Sequence, residues 1–527
     1  MRTLILCLII SISSNAQNTY YIDVTSGFDT NNGTTIGTAW KTISKVNQQS
    51  FSSGDSILFK RGEIWSGTRL YVESISGSIG NDIVFGAYGV GAKPILSSVI
   101  EQPHSWINTT GNFWKATNPP TTNPKRMLIN GTERLRANIQ SELDGITYYW
   151  MYDENTNDLF IYSTINPNSF SFEYSTDFPL IIGWAEYITV RDIEIQGGWT
   201  GIFINTLSKN IHLDSLSIGK YCRNGLVISS GSTNLPDHPE NILVENCIFD
   251  SFFDFDYSSS TIYSENSARG CSDGLVASEL STGELRNNYF KNWGHASINI
   301  NGVDITNVSI NNNYLTSPDI CYGGRLAVDN ASNIEIFNNQ IYNTSTTSQL
   351  NGQFNHYHHN VFYGTIDSPL KPSVNAGVGL QGYADSDVKE NIFENNLFIN
   401  IEGAAFYISG NNGNAIHNNI FRNNIIYNCG IEVSGESLII EANLFNVTYD
   451  NVFQNNLIFN SSTTQTCNFR GIIYDVSGFN MQSGTDGYVL TSNTSGNPLF
   501  LDVNNNDFHL QQNSPCIDTG ATTLTDG

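Results

Sequence analysis

The chain has 527 residues, with 24 Lys and Arg against 49 Asp and Glu, a formal net charge of −25 and only 14% charged residues. Binding to nucleic acid or to an anionic membrane through electrostatics needs a basic surface, so this composition argues against both partners. Hydrophobic residues make up 39% of the chain, including 29 Phe and 25 Tyr, which is ample material for a folded core.

Residues 1–16 have the pattern of a secretory signal peptide. Arg2 precedes an apolar stretch at residues 4–12, and the small residues Ser14 and Ala16 stand just before Gln17. The apolar stretch is too short to span a bilayer, and no later stretch is long enough to insert into a membrane. The sequence therefore predicts a secreted protein, in the extracellular space, the periplasm or on the cell surface, that begins near Gln17.

Two segments precede the repeats that dominate the chain. Residues 17–102 are predicted to form an N-terminal cap and the first rungs of a coil, with a short amphipathic helix at residues 40–46 covering its open end. Residues 103–178 contain alternating apolar runs and predict an inserted antiparallel β subdomain. The acidic run at residues 153–158 lacks the Gly and the terminal Glu of a calcium loop, so we interpret it as a hairpin turn.

Residues 179–480 contain a repeat in which an apolar alternation is followed by a polar pair. Neighbouring pairs begin at 287, 312 and 338, a period typical of one solenoid rung. Each unit has two or three strands of a few residues, which predicts an all-β parallel β-helix with rungs stacked about 4.8 Å apart. Asn tolerates left-handed backbone and bonds to the Asn above and below, so we interpret the pairs as structural ladders. The pairs include Asn287-Asn288, Asn312-Asn313, Asn338-Asn339, Asn395-Asn396, Asn423-Asn424 and Asn455-Asn456.

Characteristic phrases stand near the two ends of the chain: Tyr20-Tyr21-Ile22-Asp23, Gly54-Asp55-Ser56-Ile57, Asn497-Pro498-Leu499-Phe500 and Ser514-Pro515-Cys516-Ile517. With these phrases, nearly the whole mature chain resembles secreted bacterial right-handed parallel β-helix proteins of the pectate-lyase-like superfamily. The resemblance implies a carbohydrate-active protein with a glycan groove along one outer face, but this superfamily contains lyases, hydrolases, esterases, epimerases and adhesins. Residues 481–527 are expected to form the last rung or cap. Whether a further C-terminal segment is missing from the sequence stays an open question.

Unusual polar residues concentrate between residues 270 and 410, where we expect the active groove. The steps from 273 to 295, from 295 to 325 and from 325 to 356 each approximate one turn of the coil, so these side chains are expected to be neighbours about 5 Å apart. The candidate catalytic residues are Asp273, His295, Arg325, Asp329 and His356. The candidate substrate-binding residues are Trp293, Tyr322, His358, Lys371, Gln381, Tyr383 and Glu402.

Glycoside hydrolysis is the preferred reaction. The order Asp273-Gly274, Gly294-His295 and Arg325 weakly resembles polygalacturonase-type hydrolases, although their Asp-Asp pair and Arg-x-Lys are absent. Hydrolysis needs two carboxyl groups, and Asp273 and Asp329 are expected two rungs apart, at about 9–10 Å, near the separation of inverting enzymes. Glu402 is the reserve carboxyl group.

Two other functions stay open. β-Elimination of a uronate-containing glycan needs a cation for the carboxylate and a base for the C5 proton, which Arg325, Lys371, His295 and His356 would supply. A non-catalytic adhesin or glycan-binding solenoid would spread its polar residues evenly, whereas here they cluster.

No cofactor is expected, and a bound calcium ion is the alternative. The run His356-Tyr357-His358-His359 suggests a metal, but His359-Asn360 stands where other rungs have Asn-Asn, and carboxylate-bound calcium is preferred over zinc. The C-x-x-G-L contexts of Cys222 and Cys271 predict a disulfide between successive rungs. The expected partner is a polysaccharide, and the protein is expected to be a monomer.

Overall fold

A computed structural model describes most of the chain. The described residues are 17–134, 136–146, 148–175, 178–219, 221–231, 237–251, 273–316, 324–342, 347–364, 376–381, 387–409, 414–430, 436–440 and 448–520. The predicted signal peptide, residues 1–16, lies outside them. Among these residues, no helix has the length and apolar character needed to cross a membrane.

The protein is a parallel β-helix built from three long sheets, which confirms the predicted fold class. A rung contributes one strand to each sheet in turn, as in Glu186–Arg191 of sheet A, Glu194–Gln196 of sheet B and Gly198–Ile204 of sheet C. Equivalent strands of successive rungs pair in parallel.

The described residues place fourteen strands in sheet A. They are Thr19–Ile22, Ser56–Lys60, Ile83–Tyr88, Glu186–Arg191, Lys209–Asp214, Glu240–Glu245, Gly283–Arg286, Val308–Asn311, Glu335–Phe337, His356–His358, Ile392–Glu394, Ile420–Arg422, Val452–Gln454 and Val489–Thr491. Sheet B has twelve over the same described ranges: Ile64–Ser66, Ile95–Ser97, Glu194–Gln196, Ser217–Ile218, Ile248–Asp250, Tyr289–Lys291, Tyr314–Thr316, Gln340–Tyr342, Val361–Tyr363, Leu397–Ile399, Ile425–Tyr427 and Leu457–Phe459.

Sheet C contains the strands that position the candidate site. Its described strands are Leu70–Glu73, Leu180–Gly183, Gly198–Ile204, Cys222–Ile228, Asp273–Ala277, Ala296–Asn301, Arg325–Ser332, Ser348–Gln353, Val378–Leu380, Phe406–Ile408, Leu438–Ile440, Cys467–Phe469 and the antiparallel Ile472–Tyr474. A short branch of the same sheet consists of Val388–Lys389, Ile416–His417 and Thr448–Tyr449.

In-register stacking forms the core. Leu275 pairs with Ile298, which pairs with Leu326, and the three side chains are almost completely buried. A single rung cannot bury such residues, so the repeated apolar positions stabilise the fold only when like stacks on like. Aromatic residues stack in the same way, with the rings of Phe393 and Phe421 4.9 Å apart.

The Asn pairs form the predicted ladder, and the two members of a pair have different tasks. The first member takes left-handed backbone, as at Asn338 with φ of 55°. The second is buried, and Asn339 donates from Nδ2 to Oδ1 of Asn360 at 3.0 Å while it accepts from Nδ2 of Asn313 at 3.0 Å. His359 has φ of 54° and therefore fills the left-handed position, as its place beside Asn360 predicted.

Two antiparallel sheets interrupt the coil between residues 99 and 175, and their first strand precedes the start of the insertion expected at residues 103–178. Sheet D consists of Val99–Glu101, Arg126–Ile129, Thr132–Arg134 and Phe172–Ser175, and sheet E of Trp106–Thr110, Phe113–Ala116, Trp150–Asp153 and Asp158–Tyr162. Asp153 pairs with Asp158 across a tight connection, so the acidic run is a hairpin as predicted. Arg126 of sheet D donates from Nη1 to the backbone oxygen of Cys222 at 2.6 Å, which ties the insertion to sheet C.

Short elements lie toward the two ends. Helix Ile43–Asn47 buries Ile43 and Val46 in the main core, and its N-terminal Thr42 accepts from the backbone N–H of Lys45 at 3.1 Å; its capping role stays a prediction. Helix Val476–Asn480 and the antiparallel pair Phe500–Asp502 and Asp507–Leu510 lie near the C-terminus. The 3₁₀ turns are Ile36–Thr38, Gln140–Glu142, Pro167–Ser169, Thr485–Gly487 and Val503–Asn505.

Candidate active site

Three consecutive strands of sheet C bring three predicted residues to one corner of the coil. Asp273 pairs with Ala296, and Ala296 pairs with Arg325. His295 immediately precedes Ala296. Gly274 permits the close approach of these strands, because a Cβ atom there would lie 2.5 Å from the backbone oxygen of Ser297. The strand Asp273–Ala277 begins at this pair, so Asp273-Gly274 is the start of a strand rather than a turn.

Asp273, His295 and Arg325 form one hydrogen-bonded chain. Oδ1 of Asp273 lies 2.7 Å from Nδ1 of His295, and Nη2 of Arg325 lies 2.6 Å from Nε2 of the same imidazole. The Asp273 side chain is 8% exposed and the His295 side chain 37%, so the carboxylate is buried behind a ring that reaches solvent. The backbone N–H of Asp273 donates to Oδ1 of Asn224 at 3.3 Å, which holds the strand from the preceding rung.

This arrangement assigns the tautomer of His295. A guanidinium has only donors, so the nitrogen that faces Arg325 must be the acceptor. Nδ1 therefore bears the proton and donates to Asp273. The lone pair of Nε2 then faces Arg325, and in this tautomer Nε2 is the nitrogen that can accept a proton from a substrate or a water once the guanidinium moves away.

Asp329 lies on the strand of Arg325, in a second polar group of sheet C. Nδ2 of Asn351 donates to its Oδ1 at 2.9 Å, and Oδ1 of Asn351 accepts from the backbone N–H of Gln381 at 2.8 Å. Burial raises the pKa of Asp329, and the hydrogen bond from Asn351 and the charges of Arg325 and His295 offset only part of that rise. The predicted residues Asp329 and Gln381 are therefore joined through Asn351, which sequence reasoning missed.

The register corrects the expected separation of Asp273 and Asp329. Arg325, not Asp329, shares the pairing row of Asp273, and Asp329 pairs with Asn301 and Asn351. Asp329 follows Arg325 by four positions, which is about 13 Å along a strand. The expected 9–10 Å between the two carboxylates assumed a shared row, and the register places Asp273 and Asp329 in different rows.

His356 and His358 lie on sheet A, away from Arg325 on sheet C, so the expected contact of His356 with Arg325 is wrong. His356 Nε2 lies 2.8 Å from Oε1 of Glu394, and His358 Nε2 lies 3.3 Å from Oε1 of Glu335. Burial and then the neighbouring His356 lower the pKa of His358, with His359 adding to the effect. These histidines form a separate cluster.

Other predicted substrate contacts have different positions. Trp293 is completely buried in the core and donates from Nε1 to the backbone oxygen of Phe249 at 3.1 Å, so its predicted stacking on a sugar is wrong. Glu402 lies at the same corner as His295, but on the rung of Phe406–Ile408, four pairings further along sheet C and therefore roughly 19 Å away. Tyr322, Lys371 and Tyr383 lie outside the described residues.

A cation–aromatic group beside the site also escaped the sequence reasoning. Trp199 and Arg223 occupy neighbouring rungs just before Asp273, with the Arg223 guanidinium carbon 4.0 Å from the ring centroid. Lys125, from the insertion, places Nζ 5.6 Å from the same ring. The only sequence signal was a Trp and an Arg 24 positions apart, and nothing predicted that the insertion would supply Lys125.

Two further observations bound the site. Sγ of Cys222 lies 3.1 Å from the backbone oxygen of Gly197 and Cys271 lies outside the described residues, so the predicted disulfide stays a prediction. A cavity of about 550 Å³ lies elsewhere, between the Asn pairs of the ladder and the C-terminal strands Phe500–Asp502 and Asp507–Leu510, where Asn338, Asn395, Phe500 and Phe508 line it. None of the predicted site residues that the structure describes lines that cavity.

No protein-family model matches the chain. A lacto-N-biosidase from Bifidobacterium longum subsp. longum is 30% identical over 90 residues, which are 16% of this chain and 6% of that protein. The chain thus matches only a small part of the relative's length.

Several solved structures align over most of the chain, although their sequence identity to it is low. The structure of XylC in complex with xylose has a TM-score of 0.51 at 14% identity and covers 92% of this chain and 87% of its own. The GH136 lacto-N-biosidase from Eubacterium ramulus has a TM-score of 0.42 at 14% identity and covers 91% of this chain and 68% of its own. A PL6 family polysaccharide lyase from Pseudopedobacter saltans has a TM-score of 0.44 at 13% identity and covers 86% of this chain and 92% of its own. The likeness to XylC extends the shared fold over nearly the whole chain.

Proposed function

We propose that the protein is a polysaccharide-degrading enzyme, and that it hydrolyses a glycosidic bond at the corner formed by Asp273, His295 and Arg325. The observation that carries the proposal is the 2.7 Å hydrogen bond between a buried carboxylate and a half-exposed imidazole. A carboxylate behind an imidazole fixes its tautomer and stabilises the imidazolium that forms when it accepts a proton.

His295 acts as the general base in this mechanism. Its Nε2 lone pair faces Arg325 in the free protein, 2.6 Å from Nη2. A bound sugar offers hydroxyl or carboxylate oxygens to the guanidinium, which draws Arg325 from the imidazole and leaves Nε2 available to a water. Asp273 then shares the positive charge that develops on the ring.

Asp329 acts as the general acid. Its raised pKa keeps a larger fraction protonated near neutral pH than an ordinary Asp, and a protonated carboxyl group assists departure of the glycosidic oxygen. Asn351 holds this carboxyl group at 2.9 Å. The charge of His295 acts on Asp329, so the two side chains lie within electrostatic range of each other.

The sequence relative supports a glycan substrate, since the matched protein is a lacto-N-biosidase, although the match covers 6% of that protein. We further propose that the protein is secreted, on the pattern of residues 1–16, and that it acts as a monomer.

A polysaccharide lyase is the second candidate, and one observation favours it. Arg325 places a cation 2.6 Å from the base, where a uronate carboxylate would need neutralising as its C5 proton moves to His295. The same residues would serve both reactions, so the products must decide between them.

The experiment is incubation with a panel of neutral and uronate-containing glycans. Hydrolysis is expected to produce new reducing ends without an ultraviolet-absorbing unsaturated product, and elimination would produce both. Binding without cleavage of any glycan would contradict both enzyme proposals and favour the binding solenoid.

A further inference from the structure

Sheet A has a cluster of two histidines and a carboxylate on its outer side. The histidine cluster consists of Glu335, His356 and His358. Glu335 pairs with His356 on the next rung, and His358 follows two positions later, so all three side chains project from neighbouring strands. One nitrogen or oxygen atom from each residue lies within 4.8 Å of the corresponding atoms of the other two.

We propose that the histidine cluster binds a zinc-type divalent ion. Two imidazoles and one carboxylate are a common zinc ligand set, whereas calcium takes oxygen ligands almost exclusively. Nε2 of His358 and Oε1 of Glu335 are 3.3 Å apart. That distance is close to the roughly 3.3–3.4 Å between two ligands of a tetrahedral ion with bonds near 2.0–2.1 Å.

His356 has the supporting contact that metal-binding histidines typically have. Its Nε2 is hydrogen-bonded to Glu394 at 2.8 Å, which leaves Nδ1 for an ion. Glu394 is itself held by Arg422, whose Nε lies 2.5 Å from its second oxygen. Both carboxylate oxygens of Glu394 are thus engaged, one by His356 and one by Arg422, which fixes the carboxylate that orients the imidazole.

His358 has a comparable support. Its Nδ1 lies 2.9 Å from Nδ1 of His359, so one ring nitrogen is engaged and Nε2 is the one that faces Glu335. The rings of His356 and His358 have centroids only 4.3 Å apart. Both imidazoles therefore reach the same small region of the surface, where one ion would contact both.

A second group on the same sheet serves as the comparison. His212, Asp214 and Glu245 also bring ligand atoms together, but Arg286 donates from Nε to Glu245 at 2.7 Å. The guanidinium of Arg286 occupies the place where an ion would bind Glu245, and its positive charge repels a cation. We therefore expect the histidine cluster, and not the His212 group, to bind metal.

The test is calorimetric titration of the tag-free, chelator-treated protein with zinc chloride in a non-coordinating buffer. We expect one equivalent to bind, with His358→Gln or Glu335→Gln weakening the affinity at least tenfold and Glu394→Gln weakening it about 10- to 100-fold. His212→Gln is expected to leave the titration unchanged.

Three outcomes would overturn the proposal. They are no saturable zinc binding by the wild type, equal affinity in the His358→Gln protein, and equal or tighter binding of calcium. Glu335 is 54% exposed, so Glu335→Gln is expected to fold and keeps the test valid if a histidine variant does not. The outcome is independent of the proposed glycan cleavage.

Discussion

Replacing Asp273 by Asn tests the role of the buried carboxylate with little change of shape. Asn keeps the size of Asp but removes the negative charge that lies 2.7 Å from Nδ1 of His295. A hydrogen bond to a charged partner contributes about 1.5–3 kcal/mol, and each 1.36 kcal/mol of barrier is tenfold in rate. Loss of that bond alone therefore predicts a fall in kcat of about 10- to 150-fold.

The total effect is expected to be larger, because the amide also permits the wrong tautomer of His295. Its NH₂ group can donate to Nδ1 and transfer the ring proton to Nε2, which removes the base. General acid–base catalysis contributes about 10²- to 10⁴-fold, and we expect the loss of kcat to fall in that range. KM is expected to change little, because Asp273 lies behind the ring rather than against a substrate.

This effect is measured by initial-rate kinetics on the glycan that the protein cleaves best. Thermal unfolding checks that the variant is folded. Glu245→Gln is the matched control, because Glu245 also supports a half-exposed histidine, His212, at 2.9 Å on sheet A. A change in KM with unchanged kcat, or an equal loss in Glu245→Gln, would refute the assignment of Asp273 to the base.

The remaining predictions concern stability. Asp329 binds its proton more tightly in the folded state, so its contribution is fully present at low pH and is lost as pH rises through its raised pKa. Asp329→Asn is therefore expected to match the wild-type melting temperature in acid and exceed it at neutral pH; a variant less stable at every pH would contradict this sign. Asn339→Ala leaves buried ladder groups unsatisfied and is expected to cost about 3 kcal/mol or more in urea unfolding, whereas Asn338→Gly, at a left-handed position, is expected to be nearly neutral. Equal losses would show that the ladder contributes nothing specific. Gly274→Ala places a Cβ atom 2.5 Å from a backbone oxygen and is expected to cost about 1–3 kcal/mol, and unchanged stability would show that the strands can separate at no cost.

The fold could be predicted because its physics repeats along the chain. Each Asn pair marks the same backbone position in successive rungs, so Asn313 and Asn339 identify the ladder without tertiary information. The spacing from His295 to Arg325 was informative for the same reason, since both residues lie at one corner of consecutive rungs.

The rest of the site could not be predicted because spacing specifies a rung but not a sheet. The step of 31 residues from Arg325 to His356 passes the next strand of sheet C, Ser348–Gln353, and reaches sheet A of the following rung. Trp293 stands two residues before His295, yet at a corner the alternation of inward and outward side chains fails, and its ring packs inward. Lys125 depends on how an insertion docks, which no repeat encodes.

The rate of glycan cleavage by His295→Gln, compared with His212→Gln, tests the central claim most directly. Both variants replace a half-exposed histidine that is paired with a carboxylate, and only His295 also faces Arg325. We predict that His295→Gln loses at least 100-fold in kcat while His212→Gln retains the wild-type rate. Wild-type activity in a folded His295→Gln protein would place the chemistry elsewhere on the coil.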